Sequence, residues 1–111
     1  MKPAQYDFSN KTLLLTGAAG TIGRAVARRF FASGAHCVLT DLDQDALEAF
    51  AKELDPHKER VLAVPCDATR SAEVDALLAT AHKRFGPLHA LVTAAGLYRD
   101  ALVADMTDEE W

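Results

Sequence analysis

The chain has 111 residues, with 12 Lys and Arg against 16 Asp and Glu, a formal net charge of −4 and 50% hydrophobic residues. That composition describes a globular domain and excludes disordered, collagenous and membrane-embedded classes. The length suits one domain, 1–111, with no room for a second. No apolar run approaches the roughly 18 residues of a membrane helix, so no membrane partner is expected. The acidic balance, without a Lys/Arg stripe, argues against nucleic acid. The opening Met-Lys-Pro-Ala-Gln-Tyr-Asp-Phe lacks the apolar core of a signal peptide, which makes a cytoplasmic location the expectation.

The predicted elements alternate between short apolar runs and amphipathic stretches. Residues 12–16, Thr-Leu-Leu-Leu-Thr, read as a strand buried on both faces. Ile22, Ala25, Val26 and Phe30 recur at helical spacing over 22–33, and Gly34 supplies a stop. A second strand covers 36–40 and runs into Asp41. Asp43 is placed to cap a helix whose inner face is Leu47, Phe50 and Leu54, with Pro56 closing it. Residues 61–64 make a third strand. Thr69 or Ser71 is expected to cap the next helix, striped by Val74, Leu77, Leu78, Ala81 and Phe85, and 88–93 make a fourth strand after Gly86-Pro87. Such alternation predicts βαβ units with a parallel sheet, an α/β fold whose ligands sit beyond the carboxyl ends of the strands.

Cys37 and Cys66 lie in apolar segments and are read as reduced, buried thiols. His36, His57, His82 and His89 show no metal-binding spacing, and no metal ligand is assigned. Near the end, Thr107-Asp108-Glu109-Glu110 forms a capping box, yet only Trp111 follows. One turn does not sustain a helix in water, so the chain reads as the front part of something longer.

Chemistry concentrates in Thr16-Gly17-Ala18-Ala19-Gly20-Thr21-Ile22-Gly23, between the first strand and first helix. Gly17 permits a tight turn, small residues at 20 and 21 let the backbone approach a pyrophosphate, and Gly23 lets helix pack on sheet. Amide groups at the helix start then face the phosphates. Asp41 stands 18 residues after Gly23 at the end of the second strand, close to the separation of about 20 expected for a ribose-binding carboxylate. Against a 2′-phosphate that carboxylate would meet a like charge, costing roughly 4 kcal/mol at 4 Å and an effective dielectric of 20. No Arg or Lys occurs among the next three residues to offset it, so NAD is expected over NADP.

With Ser33-Gly34-Ala35, Cys66-Asp67-Ala68-Thr69, Phe85-Gly86, Leu91-Val92-Thr93-Ala94-Ala95-Gly96, Arg99-Asp100-Ala101-Leu102 and Met106-Thr107-Asp108-Glu109-Glu110-Trp111 added, the chain resembles the N-terminal part of a short-chain dehydrogenase/reductase, most like the 3-oxoacyl-[acyl-carrier-protein] reductase type. The resemblance runs from about residue 11 to 111. It implies a Rossmann-type doubly wound parallel sheet cut to about four strands, order 3-2-1-4. It also implies that Gly17, Ala19, Gly20, Thr21, Ile22 and Gly23 hold the pyrophosphate and that Asp41 holds the adenosine ribose. Asp67 and the backbone of Ala68 would contact adenine, with Ala94, Ala95 and Gly96 passing beside the nicotinamide ribose. The plainer reading of Asp67 is an acid that caps the following turn, and that of 93–96 is a small-residue strand exit.

Four departures stand out. The usual Thr-Gly-x-x-x-Gly-x-Gly has Thr21 where its middle glycine belongs, giving Thr-Gly-x-x-Gly-x-x-Gly, the form of the extended branch that includes sugar-nucleotide epimerases. The usual Asn-Asn-Ala-Gly is Thr93-Ala94-Ala95-Gly96, and an Asp common before that strand is His89. The catalytic Tyr-x-x-x-Lys pair is absent: Tyr6 is followed four on by Asn10, and Tyr98 by Leu102. No catalytic residue is assigned.

The expected parent is an NAD-dependent oxidoreductase interconverting a small-molecule alcohol and ketone, as a homo-oligomer, with the fragment alone inactive. A non-catalytic cofactor-binding or self-assembling half-domain is the competing class. A methyl-donor transferase on the same sheet type fits Asp67 and 93–96 less well.

Overall fold

The computed structural model describes residues 6–95. Seven elements follow in strict alternation: β1 (Thr12–Thr16), α1 (Thr21–Ala32), β2 (His36–Thr40), α2 (Gln44–Leu54), β3 (Val61–Ala63), α3 (Ser71–Phe85) and β4 (Ala90–Thr93). All pairings are parallel and the strand order is β3-β2-β1-β4, the order expected from the sequence. Leu13 lies opposite Cys37 on one side and Ala90 on the other.

Period-two alternation sorts each central strand between two cores. Leu13, Leu15, Cys37 and Leu39 face one side, packed with Ala27 of α1 and with Leu47 and Phe50 of α2. Leu14 and Val38 face the other, packed with Cys66 and with Leu77 and Ala81 of α3. The result is three layers with helices on both faces, which explains why β1 and β2 read as unbroken apolar runs. Leu15 and Leu39 are fully buried, and truncating either to Ala costs about 2–5 kcal/mol.

Local signals set most boundaries. The Asp43 side chain accepts from the Ala46 N–H at 3.1 Å, the expected N-cap of α2. The start of α3 differs from expectation: Arg70 is its N-cap with no side-chain cap bond, because the Thr69 hydroxyl donates to Asp67 instead. Leu78 is also 38% exposed, one position off the stripe that buries Leu77 and Ala81. Residues 64 and 88–89 fall outside the strands expected to include them. Below the sheet, buried Asp55 accepts from the Arg60 and Val61 N–H groups at 2.8 and 3.2 Å, turning the chain from α2 into β3. Among the described residues, no helix is long and apolar enough to cross a membrane. The capping box at 107–110 lies outside the described residues.

Candidate cofactor site

Two strand exits and one loop converge at the carboxyl edge of the sheet. Leaving β1, Gly17 adopts φ +70°, and a Cβ there would sit 2.6 Å from the Ala94 carbonyl carbon and 2.7 Å from the Ala95 Cα. Only glycine fits a left-handed turn pressed this close to a neighbouring chain. A Cβ on Gly23 would overlap the Gly17 carbonyl oxygen and approach the Ala18 Cα to 2.9 Å, so α1 sits directly against the turn. Gly20 contrasts with both, since a Cβ there would meet only the Gly17 oxygen at 3.4 Å. The outer face of the loop is open.

Backbone bonds lock this arrangement. Ala18 N–H donates to the Thr40 carbonyl at 3.1 Å, and Ala94 N–H to the Thr16 carbonyl at 3.0 Å, so β2 and β4 grip the turn from either side. Cys66 N–H donates to the Asp41 carbonyl at 3.1 Å, which ties the exit of β3 to that of β2.

The Asp41 carboxylate is held from two directions. Its Oδ2 accepts from the Ala19 N–H at 3.0 Å and its Oδ1 from the Asp43 N–H at 3.3 Å. The acid and the glycine loop, separate motifs in the sequence, thus form one unit. Each carboxylate oxygen keeps a lone pair for a further donor.

Gly20, the N-cap of α1, makes no side-chain cap bond, and the first turn carries no acid. Its own N–H donates to Gly17 at 3.2 Å, and the first intrahelical bond runs from Arg24 to Gly20 at 2.9 Å. The Thr21, Ile22 and Gly23 amides therefore supply the open donors of the helix start, where the dipole favours an anion.

Asp67 makes the turn that its plainer reading described. Thr69 donates to its Oδ1 through both N–H, at 3.0 Å, and hydroxyl, at 2.6 Å. These bonds hold the Asp67 carboxyl below its ordinary range. Neighbouring Ala68 is exposed. Ala94 and Ala95 sit against Gly17, as described, and Gly96 lies outside the described residues.

Sequence reasoning missed one feature of this edge. Leu42, 74% exposed, stands bare beside Asp41, and Ile22 at 72% stands bare on the first turn of α1. A large apolar residue directly after a strand-end acid, outside any buried periodicity, is the signal that was available for Leu42.

An open parallel sheet with a glycine turn into a bare helix start, and an acid at the neighbouring strand end, defines the dinucleotide-binding class of α/β proteins. The short chain dehydrogenase family model matches residues 11–111, and the chain belongs to that family. It is 43% identical over 101 residues to an uncharacterized oxidoreductase of Mycobacterium bovis, covering 91% of this chain and 40% of that protein. Among solved structures, a short-chain dehydrogenase/reductase (glucose/ribitol dehydrogenase) from Brucella melitensis superimposes with a TM-score of 0.87 at 44% identity, over 97% of this chain and 45% of that one. A 3-ketoacyl-(acyl-carrier-protein) reductase from the same organism, complexed with NADH, gives 0.80 at 31% identity, over 94% and 42%. The chain thus spans less than half the length of these relatives.

Proposed function

We propose that residues 1–111 form the NAD(H)-binding part of a single Rossmann domain, within a cytoplasmic, homo-oligomeric oxidoreductase that interconverts an alcohol and a ketone. The observation that carries this reading is the Asp41 carboxylate fixed beside an open, uncapped helix start. Thr21, Ile22 and Gly23 would present amides to the pyrophosphate, while Gly17 and Gly20 keep the approach clear. The Ala19 amide, already donating to Asp41, would serve by orienting that carboxylate toward the ribose hydroxyls, each charge-assisted bond contributing about 1.5–3 kcal/mol. Leu42 and Ile22 offer apolar cover to the rings, and Asp67, Ala68, Ala94, Ala95 and Gly96 would complete the seat. When bound, the nicotinamide supplies a hydride donor or acceptor. The Tyr-x-x-x-Lys pair that moves the proton in relatives has no counterpart in this sequence, so no turnover is expected from these residues alone.

Calorimetric titration of the chain with NAD and NADP tests this, with Asp41→Ala alongside. The expected result is weaker binding of NADP than NAD, a gap that Asp41→Ala narrows at least tenfold. Equal affinities in the unsubstituted chain would overturn the preference. A second reading, a self-assembling half-domain, is favoured by β4, which pairs only with β1 among the described residues and leaves Leu91 63% exposed. A stable dimer in sedimentation with no response to either dinucleotide would establish it instead.

A further inference from the structure

At the opposite edge of the sheet, β3 pairs only with β2 among the described residues. Cys37 N–H donates to the Arg60 carbonyl at 2.7 Å and Val64 N–H to the Leu39 carbonyl at 3.0 Å. Parallel alternation therefore turns the Val61 carbonyl, and both peptide groups of Ala63, away from β2. The remaining outward donor, the Val61 N–H, is taken by Asp55. An edge of this kind is a template for another strand.

Beside this edge runs a groove of about 570 Å³, floored by β3 and walled by Lys52, Lys58 and Arg84, with Glu48 its one carboxylate. Arg84 is fixed in place: its Nη2 donates to the Lys58 carbonyl at 3.0 Å and its guanidinium lies 4.9 Å over the Phe85 ring. Lys52 and Lys58 have no ion-pair partner among the described residues. On a chain of net charge −4, three cations line a groove that also exposes strand backbone.

We propose that the β3 edge takes up an extended acidic peptide segment of a partner protein as a further strand, its carboxylates meeting Lys52, Lys58 and Arg84. Backbone of Val61 and Ala63 gives the ladder, the apolar floor takes alternate side chains, and the cations select acidic sequence. An apolar floor and a main-chain ladder suit a peptide better than an oligonucleotide. None of these residues belongs to the cofactor site, so the two readings stand or fall separately.

The test is titration of the ¹⁵N-labelled chain with a blocked octapeptide of alternating Val and Glu. Expected are saturable shifts centred on β3 and at least tenfold slower exchange of the Ala63 amide. Lys52→Glu with Lys58→Glu, both on exposed side chains, should weaken binding at least tenfold. Ala63→Pro, which removes the outward N–H and leaves the β2 pairing intact, should weaken it as well. The proposal is overturned if Ala63 shows no saturable response or if the Lys variants bind unchanged. Equal binding of an octaglutamate or a short oligonucleotide would also overturn it, leaving a charge effect alone.

Discussion

His89 Nδ1 accepts a hydrogen bond from the Thr12 backbone N–H at 3.0 Å, while the His89 N–H returns one to the Thr12 carbonyl at 2.9 Å. The start of β4 is thereby fastened to the start of β1 by a side chain and a main chain together. A carboxylate at this position would present an acceptor to the same N–H. Thr12 is 1% exposed, so its N–H has no water to fall back on. His89→Ala should cost about 1–3 kcal/mol in urea unfolding, whereas His89→Asp should recover most of the loss.

Gly17 and Gly20 should separate folding from binding. Gly17→Ala forces a Cβ into Ala94 and Ala95 at positive φ, and should lower stability by about 1–3 kcal/mol or more. Gly20→Ala meets only ordinary contact, so its melting temperature should stay near that of the parent. Its added methyl nonetheless occupies the open approach to the helix start, and dinucleotide affinity should fall at least tenfold. Thermal melts and calorimetry on the two variants decide this. Equal binding by Gly20→Ala and the parent would remove the loop from the site.

Thr69 should control the titration of Asp67. The two Thr69 bonds favour the ionised carboxylate and lower its pKa from the ordinary 3.8. A depressed folded pKa stabilises above the unfolded value, and the contribution disappears as pH falls through the folded one. Thr69→Val removes the hydroxyl, so the carboxyl resonance of Asp67 should titrate at higher pH in an NMR experiment. Because its folded pKa then lies nearer the unfolded value, the variant should lose less stability as pH falls below that value.

Cys37 should be inert while the chain is folded. Burial raises its thiol from 9.0 to about 12, with Arg60 opposing weakly. Native protein at pH 8 should resist iodoacetamide at Cys37 and react in urea, as read by mass spectrometry. The unfolded thiol ionises near 9 and the folded one near 12, so stability should decline as pH rises between those values.

Elements were legible wherever period and punctuation agreed. β1 and β2 are readable from the apolar runs at 12–16 and 36–40 and the α2 cap from Asp43 alone, while the strand order rests on the family resemblance. The α3 cap departs from expectation because the Thr69 hydroxyl is taken up by Asp67, and sequence does not show which acceptor a hydroxyl takes. For the site, the motif located the glycines and Asp41 but not their connection. A bond between Ala19 and Asp41, 22 residues apart, exists only after β1 and β2 lie in register. Leu42 escaped because exposure of a single apolar residue is set by what stands around it.

The press of Gly17 against Ala94 and Ala95 sets an order on biosynthesis. The turn emerges from the ribosome nearly eighty positions before the segment that braces it. Until β4 inserts beside β1, the nascent chain holds the Gly17 turn from the β2 and α1 sides alone, without the brace of Ala94 and Ala95. The proposed nucleotide seat is thus completed only on closure of the most sequence-distant pairing among the described strands, and a chain stalled short of residue 90 would carry the whole glycine motif with one side of its turn unbraced.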